Sequence, residues 1–582
     1  MTIESILETE LLIDGYAMKA NEMPVEKQVE YLIDEHFNVF RSDESKLWRM
    51  EHLYYIITKD GEKALFKFNP AQMDFVERYI LPGYQKIIVL KARQLGFTTL
   101  VALWFLDEII FHPNRESLQI AHTQKDAGEL FNRKVKYAIR NFCPAFKDLL
   151  DMSADTKTTV EFAYGDGSRS KFNVSNSGRS GTFHYLHVSE LAKLSKLFPA
   201  RADEVVTGTL PSVPKNDKTL TIIESTAEGV TGLFYDMYMQ SYKRRDIIKP
   251  MHTVAEYKPV FYNWTWDKDQ IEQATRNGCI PIKEMEESEI DWADFQKEYS
   301  LTDKEITYYY IKWIEAGRDI NKLNQEFPTT EMDAFISTGA NFFSTKKIFK
   351  ELEKLQSEEP EQFYFEWDGT SFVETDKSYS DKFEGLIVFE HPQQGKNYVL
   401  GGDVAEGLMT GDWSTATILG MDKLPKAIYR GHIDPDDYAN IVEFLGKMYN
   451  TALLAIEFNK DGNWVNTELN RRGYPNMYLR TQFDDLTQTV STNFGWLTNK
   501  KTRDIALGEM KAFFNNTTHY PYKIILDEMV NFVRDKRGKP QAQSGKHDDV
   551  IMSAAIAYGV LQGKVEYKKE SKIKSFSDLI WQ

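Results

Sequence analysis

The sequence predicts an α/β protein with more than one domain, in which a mostly parallel sheet dominates the N-terminal half. Its 582 residues exceed what one hydrophobic core usually organises, so two or three domains are expected. Apolar runs at residues 87–90, 118–121, 185–188 and 219–223 are typical of buried strands. A glycine turn and a helix follow the first run, and a long helix follows the second.

The composition excludes several classes of protein. The chain has two cysteines, Cys143 and Cys279, which lie far apart and lack His or Cys neighbours at ligand spacing, so neither a disulfide framework nor a zinc site is expected. The sparse cysteines fit a reducing cytoplasm. No run of eighteen uncharged apolar residues occurs, so a membrane span is not expected, and the first residues do not have the pattern of a secretion signal. The net charge of −16 argues against nucleic acid as a partner, although a large acidic protein can still carry a basic channel.

The first apolar run ends in an incomplete phosphate loop. Against the pattern G-x-x-x-x-G-K-[ST], Gly96 and Thr98 fit, Phe97 replaces the lysine and Lys91 replaces the first glycine. A strand, a glycine turn and a helix start together expose backbone N–H groups to an anion. Alone, this pattern is weak evidence for nucleotide binding. We expect Phe97 to pack beneath the loop.

Two further strand ends strengthen the nucleotide hypothesis. Glu190 follows the run at 185–188, where P-loop enzymes place the carboxylate that polarises water, but Ser189 stands where an aspartate usually helps to hold Mg²⁺. Ser225 and Thr226 follow the run at 219–223 and are suited to sensing a γ-phosphate. A surface glutamate and a Ser-Thr turn are the alternatives, yet three converging strand ends favour nucleotide.

A glutamine lies at a predicted helix start upstream of the loop. Gln72 follows Pro70, and its side-chain amide could both donate to and accept from an adenine edge. The alternative is a proline in the first turn of a surface helix.

The C-terminal half contains separated carboxylates in strand and helix contexts. Asp403 is expected midway along the first strand of an antiparallel pair, Glu457 ends an apolar strand, and Asp548 and Asp549 open a helix. A two-metal phosphodiester hydrolase needs such acids to hold Mg²⁺ or Mn²⁺. The alternative for the paired aspartates is stabilisation of the helix dipole, and Asp412 is either a fourth acid or a turn residue.

Composition and pattern changes suggest five segments. They are a helical segment at 1–60, a P-loop domain at 61–340, a polar, acidic linker at 341–385, a nuclease domain at 386–562 and a tail at 563–582.

Taken together, these motifs resemble the large terminase subunit of tailed bacteriophages over residues 66–560. The resemblance rests on Phe-Asn-Pro-Ala-Gln at 68–72, Lys-Ala-Arg-Gln-Leu-Gly-Phe-Thr-Thr at 91–99, His-Val-Ser-Glu-Leu-Ala at 187–192, Ser-Thr-Ala at 225–227, Phe-Pro-Thr-Thr-Glu-Met-Asp-Ala-Phe at 327–335, Gly402-Asp403, Glu457 and His-Asp-Asp at 547–549. That family couples a P-loop ATPase domain with a mostly parallel sheet to an RNase H-like nuclease domain.

The resemblance implies a role for each matching residue. It assigns adenine contact to Gln72, phosphate contact to Lys91, Arg93, Gly96, Thr98 and Thr99, catalysis to Glu190, coupling to Ser225, Thr226 and Ala227, and metal binding to Asp403, Glu457, Asp548 and Asp549. Whether Lys91 or Arg93 reaches the phosphates stays open, as does which of the paired aspartates binds metal.

The resemblance also implies cofactors and partners. It predicts ATP and Mg²⁺, with Mn²⁺ as an option in the nuclease, and a motor that packages double-stranded DNA and cuts it. The expected partners are the portal protein, the small terminase subunit and further copies in a ring of five on the procapsid, in the cytoplasm of the infected host. Arg179 is the first candidate for an arginine that acts in trans, with Arg133 and Arg140 as competitors, and a solvated surface arginine is the alternative for each.

Basic residues in the C-terminal half are further candidates for contacts. Lys500, Lys501 and Arg503 are candidates for DNA phosphate contact, with a solvated charged turn as the alternative. The basic tail from Lys564 is a candidate for portal docking, with disorder as the alternative. The rival hypotheses are a helicase-like DNA-dependent ATPase with structural C-terminal acids, and a non-enzymatic assembly protein.

Overall fold

The chain forms two compact units, Met1–Gly339 and Ala340–Gln582. The computed structural model describes residues 2–13, 16–176, 181–229, 232–242, 244–246, 256–336, 341–357, 360–380, 382–408, 411–458, 461–484, 489–535, 538–543 and 545–562.

The described part of the first unit contains twelve strands, eight of which form its main sheet. Its strands are β1 (Glu10–Ile13), β2 (Tyr16–Lys19), β3 (Tyr55–Ile57), β4 (Lys63–Leu65), β5 (Lys86–Lys91), β6 (Glu116–Ile120), β7 (Asp151–Asp155), β8 (Thr159–Ala163), β9 (Arg169–Ser175), β10 (Tyr185–Ser189), β11 (Leu220–Ser225) and β12 (Lys258–Tyr262). The large sheet has the order β12-β5-β11-β10-β6-β9-β8-β7. Strands β12 to β9 in that order are parallel, and β8 and β7 extend the edge antiparallel.

The described part of the first unit also contains sixteen α-helices, one of which is buried along nearly its whole length. They are α1 (Ile3–Leu7), α2 (Val25–Phe40), α3 (Lys46–Leu53), α4 (Pro70–Phe75), α5 (Phe97–Phe111), α6 (Gln124–Leu130), α7 (Tyr137–Arg140), α8 (Pro144–Asp148), α9 (Leu191–Leu197), α10 (Pro199–Glu204), α11 (Leu233–Tyr242), α12 (Lys268–Thr275), α13 (Trp292–Glu298), α14 (Asp303–Glu315), α15 (Ile320–Glu326) and α16 (Glu331–Ile336). Helix α5 is apolar on all sides, as expected of a helix enclosed by its neighbours.

The N-terminal helical segment expected at 1–60 is part of the first unit's core. Arg49 of α3 makes a two-pronged ion pair with Asp107 of α5, with nitrogen–oxygen distances of 2.7 and 3.0 Å, and both side chains are fully buried. Tyr54 also donates to Asp107, at 2.9 Å. A buried ion pair with its remaining donors satisfied fixes the geometry of the two helices, so this segment does not form a separate domain.

The described part of the second unit contains eleven strands, seven of which form a mixed sheet. Its strands are β13 (Phe363–Trp367), β14 (Phe372–Glu374), β15 (Gly385–Val388), β16 (Tyr398–Asp403), β17 (Ser414–Gly420), β18 (Pro425–Gly431), β19 (Leu453–Ile456), β20 (Leu479–Asp484), β21 (Thr489–Phe494), β22 (Phe532–Arg534) and β23 (Pro540–Ala542). The order of the large sheet is β14-β13-β15-β18-β17-β16-β19, and only the β16–β19 pair is parallel.

Further helices complete the second unit. They are α17 (Thr345–Ser357), α18 (Pro435–Met448), α19 (Asp461–Arg471), α20 (Lys500–Asn516), α21 (Lys523–Val530) and α22 (Asp549–Gln562). Helix α22 is buried from Asp549 through Val560.

Two sequence expectations for this half need correction. The segment 341–385 is not a linker, because it supplies α17, the edge strand β14 and its neighbour β13, with Phe365 and Phe372 buried in the core. The predicted antiparallel pair is present as β16 and β17, but Asp403 is the last residue of β16 and does not lie midway along it.

A glycine allows α22 to approach β16 closely. A Cβ on Gly401 would collide with the backbone oxygen of Ser553 and lie 2.7 Å from the backbone nitrogen of Ala557. The backbones of strand and helix are therefore in contact at this point, which brings the start of α22 toward the end of β16.

Gly401→Ala should destabilise the second unit by roughly 3 kcal/mol or more, because two backbones must move apart. The matched control is Gly508→Ala in α20, where an added Cβ meets nothing within 4 Å. That change should stabilise the helix by about 0.5–1 kcal/mol. Thermal unfolding of the three proteins measures both effects, and equal melting temperatures would contradict the close packing of α22 on β16.

Candidate nucleotide and metal sites

The carboxyl ends of β5, β10 and β11 meet at one edge of the first unit's sheet. In the strand register Ser189 lies opposite Glu224, and Leu90 lies opposite Ser225. Lys91 therefore ends β5 next to Ser225 of the neighbouring strand β11, and β10 lies on the far side of β11. Crevices at such strand ends are where open parallel sheets bind ligands.

A buried lysine lies between two carboxylates at this edge. Lys91 Nζ is 3.0 Å from Glu224 Oε2 and 3.6 Å from Glu190 Oε1, and its side chain is 7% exposed. Burial alone would lower the pKa of Lys91, but the charges of Glu224 and Glu190 outweigh burial and raise it. The lysine is therefore a charged ammonium in a water-poor site.

Glu190 occupies a backbone conformation that few non-glycine residues adopt. Its φ is +58°, and its backbone N–H donates to Glu224 O at 2.7 Å, which holds the turn between β10 and α9. The pKa of Glu190 is raised, mainly by burial and further by Glu224, while Lys91 opposes the rise. A raised carboxyl pKa suits a group that takes a proton from water near neutral pH.

Glu224 is a site residue that the sequence reasoning did not select. Its Oε1 accepts hydrogen bonds from Thr98 Oγ1 at 2.6 Å and from Ser189 Oγ at 2.8 Å, and the side chain is fully buried. Burial would raise the pKa of Glu224, but the ammonium of Lys91 and the hydrogen bonds lower it below the usual range. An acid after a buried strand was the available signal, since the same pattern selected Glu190.

The glutamine expected to contact adenine holds the phosphate loop. Gln72 is 3% exposed, its Nε2 donates to Gly96 O at 2.9 Å, and its Oε1 accepts from Asn69 N at 3.1 Å. Gly96 has φ +76°, and a Cβ there would lie 2.6 Å from Gln72 Nε2. The adenine contact is therefore not supported, because the amide is buried and already bound to the loop and the start of α4.

The two basic candidates of the loop differ in environment. Arg93 is exposed and lies 3.2 Å from Glu326, whereas Lys91 lies inside the acid cluster. The expectation that Phe97 packs beneath the loop is confirmed. Phe97 is 1% exposed, and its ring lies 5.2 Å from that of Phe75 and 5.0 Å from that of Tyr262.

The remaining candidates of the first unit surround Glu190 and the loop. Thr99 N donates to Gly96 O at 3.1 Å, as the first turn of α5 requires. Ser225 Oγ accepts from the backbone of Ala192 in α9 at 3.2 Å, and Thr226 Oγ1 lies 3.5 Å from Glu190 Oε2. The two hydroxyl residues thus contact the turn and helix that carry Glu190.

Asp403 is the last residue of β16, and Glu457 directly follows β19, the parallel strand beside it in the second unit. Gly402 is paired with Ile456, and Glu457 N donates to Gly402 O at 2.9 Å. The pKa of Asp403 is raised well above its ordinary value by burial first and then by the charge and hydrogen bond of Glu457. Burial and the neighbouring carboxylates therefore disfavour the ionised form of Asp403, as expected where acids are gathered around a cation site.

Asp548 and Asp549 contribute to the same charge cluster, because both raise the pKa of Asp403. Asp549 is buried and accepts from Trp413 N at 2.9 Å, and burial raises its pKa although His547 opposes this. Asp548 lies 3.2 Å from Arg503 Nη2.

A further group of potential ligands includes Asp549. Asp412, His547 and Asp549 each offer a ligand atom, and these atoms lie within 4.8 Å of one another. Asp412 and His547 are exposed, and Asp549 is buried. Asp412 therefore lies close to the predicted metal ligands, as its alternative role as a fourth acid requires.

The other basic candidates lie at the surface or outside the described residues. Arg133, Arg140, Lys500 and Lys501 are exposed. Arg179 and the tail at 563–582 lie outside the residues that the structure describes.

Comparison with known proteins gives structural neighbours only. No protein-family model matches the chain, and no curated protein does. The large terminase from a thermophilic bacteriophage is 9% identical, covering 85% of this chain and all of the other, with a TM-score of 0.28. The ATPase domain of the Thermus phage P74-26 large terminase is 14% identical over 45% of this chain and 93% of the other, with a TM-score of 0.29.

A third neighbour matches the second half. The large terminase nuclease of thermophilic phage G20c with bound magnesium is 19% identical over 31% of this chain and 89% of the other, with a TM-score of 0.25. At these scores the similarities carry no weight for function, which is inferred from the two sites.

Within the described ranges, no helix is both long and apolar enough to cross a membrane.

A buried carboxyl group next to the second site gives a prediction about pH. Glu528 is 7% exposed and accepts from Ile551 N in α22 at 2.9 Å. Burial, followed by the charge of Asp549, raises its pKa from 4.5 to about 8. Between about pH 4.5 and pH 8 the Glu528 carboxyl group is ionised in the unfolded chain but protonated in the folded chain. The free energy of unfolding therefore falls as pH rises through this range.

Glu528→Gln should therefore gain stability over the unaltered protein as pH rises from about 5 to 8, by up to about 1.4 kcal/mol per pH unit. Melting temperatures measured across this range in EDTA test the expectation. Asp504→Asn, at an exposed position of α20, is the control and should give a constant difference. A constant difference for Glu528→Gln as well would show that this carboxyl group is ionised in the folded protein.

Proposed function

We propose that the chain is an ATP-driven motor that moves double-stranded DNA into a viral procapsid and cuts the DNA with a metal-dependent nuclease. The observation that carries the proposal is Lys91, buried between Glu190 and Glu224 where three parallel strands end beside a glycine loop. Such an arrangement combines a cation for phosphates with a carboxylate for water. The sequence resemblance to large terminases supports the same function.

The loop and helix α5 provide the phosphate site. The α5 N-terminus begins directly after Gly96, so its free backbone N–H groups and helix dipole favour an anion there. Lys91 would leave its carboxylate partners to meet the β- and γ-phosphates. Glu190 would then be free to orient and polarise the attacking water.

Ser225 and Thr226 are proposed to couple hydrolysis to movement. Their hydroxyl groups contact the backbone of α9 and the Glu190 side chain, so a shift of Glu190 on loss of the γ-phosphate would be passed to both elements. This coupling is a local exchange of hydrogen bonds and needs no large rearrangement of the sheet.

The residues of the second unit fit a pair of divalent cations. Asp403, Glu457, Asp548 and Asp549 present oxygen ligands. Burial and then repulsion from the other three carboxylates raise the pKa of Asp403, and a cation would relieve that repulsion. Bound Mg²⁺ or Mn²⁺ would activate water and stabilise the leaving oxygen of the DNA backbone. Asp549 is oriented for this role by Trp413 N.

The partners follow from the proposed activity. The substrate is double-stranded DNA, and the assembly would be a ring of five subunits with the portal protein and the small terminase subunit, in the host cytoplasm. Exposed Arg133 and Arg140 are available to a neighbouring subunit's nucleotide. Lys500 and Lys501, exposed at the start of α20, would contact DNA phosphates.

Lys91→Ala and Glu190→Ala should each reduce DNA-stimulated ATP hydrolysis at least about 100-fold, because one removes the phosphate cation and the other the base. Arg93→Ala should cost far less, since Arg93 lies at the surface with Glu326. Lys196→Ala, a surface lysine paired with Glu228, is the matched control. The measurement is phosphate release with and without DNA. Unchanged turnover in Lys91→Ala would show that Lys91 is not the cation that binds the phosphates.

Asp403→Ala should abolish metal-dependent cleavage of plasmid DNA while ATP hydrolysis continues. The reason is that Asp403 lies in the second unit, whereas the proposed ATP site lies in the first. Asp436→Ala, at an exposed position of the same unit, should cut normally. Gel analysis of plasmid with Mg²⁺, Mn²⁺ or EDTA gives the measurement. Full cleavage by Asp403→Ala would favour a helicase-like ATPase whose C-terminal acids are structural.

A further inference from the structure

The first unit lacks the usual metal-binding acid at the strand that precedes Glu190. In P-loop ATPases Mg²⁺ is held by the loop Ser or Thr together with an aspartate at a strand end. Thr98 fits the loop position, but Ser189 stands where the aspartate is expected. A serine hydroxyl carries no charge, so it cannot by itself offset a divalent cation.

The structure places another carboxylate beside both residues. Glu224 lies opposite Ser189 on the adjacent parallel strand β11. Its Oε1 accepts from Thr98 Oγ1 at 2.6 Å and from Ser189 Oγ at 2.8 Å. The glutamate side chain is one methylene longer than aspartate, which lets it reach the loop threonine from the neighbouring strand.

We propose that Glu224 replaces the missing aspartate and, with Thr98 and Ser189, holds the Mg²⁺ of the bound nucleotide. This inference rests on the proposed ATP site and adds the residue that carries its metal.

The charges at the site agree with this role. Lys91 touches both Glu224 and Glu190, so two carboxylates share one ammonium, and His187 Nε2 lies 3.4 Å from Glu224 Oε1. When phosphates draw Lys91 away, Glu224 loses this ammonium, and the Mg²⁺ that arrives with the nucleotide would replace its positive charge. Hydroxyl and carboxylate oxygens are the ligands that Mg²⁺ prefers.

A purely structural role for Glu224, as the counter-ion of Lys91, predicts something different. Removing a counter-ion frees Lys91 and changes nucleotide affinity equally with and without metal. Removing a metal ligand changes affinity only when Mg²⁺ is present. The dependence of binding on Mg²⁺ therefore separates the two roles without reference to turnover.

The test is calorimetric titration of ATP into the full chain and into Glu224→Gln, each in Mg²⁺ and in EDTA. We expect Mg²⁺ to tighten ATP binding to the unaltered protein. In Glu224→Gln this gain should fall at least about tenfold, while affinity in EDTA stays equal or becomes tighter. Glu228→Gln, four residues further along the chain in the segment that follows β11 and paired with Lys196, should keep the full gain.

Each outcome decides one question. Full Mg²⁺ dependence in Glu224→Gln, or an equal loss in both buffers, overturns the metal role while leaving the ATP site intact. Failure of the unaltered protein to bind ATP in either buffer overturns the proposed function itself.

Two further variants keep the test decisive if Glu224→Gln does not fold. Glu224→Asp keeps the charge next to Lys91 but shortens the side chain away from Thr98, so the Mg²⁺ gain should fall at least about threefold. In the double variant Ser189→Asp with Glu224→Asp, the acid returns to the strand end before Glu190, and the gain should recover. An undiminished gain in Glu224→Asp contradicts the inference.

Discussion

The ion contact between Lys91 and the carboxylates of Glu224 and Glu190 is the interaction on which the first unit's site depends. Burying a single charge costs several kcal/mol, so neither the lysine nor the glutamates could occupy this edge alone. Their mutual compensation fixes the ends of β5, β10 and β11 relative to one another. It also keeps Lys91 charged beside the loop at which we propose that phosphates bind.

The carboxyl groups of the second unit have different charged partners. The close approach of α22 to β16 at Gly401 brings paired aspartates toward Asp403, and the basic side chains at this cluster, Arg503 and His547, contact Asp548 and Asp549. The pKa of Asp403 is raised by burial and by the charge of Glu457. The proposed nucleotide site thus carries its own cation, Lys91, whereas the proposed metal site would receive cations from solution.

Sequence patterns located most of the elements that carry these sites. Buried runs and their terminal residues identified β5, β10, β11 and β19, because a strand covered on both faces must be continuously apolar. They misplaced Asp403 along β16 and treated residues 341–385 as a linker. An edge strand with one exposed face has too mixed a composition to be recognised by apolar content.

By itself, the sequence determined which acids, hydroxyl groups and glycines stand at the ends of buried strands, since that depends on local order along the chain. Only the tertiary structure decided which of them touch. The register of β10 against β11 makes Glu224 the partner of Ser189, Thr98 and Lys91, and the fold around α4 turns Gln72 toward the phosphate loop. The hydrogen bonds among these contacts join residues 24 to 126 positions apart along the chain and depend on strand pairing and helix packing, which no local pattern encodes.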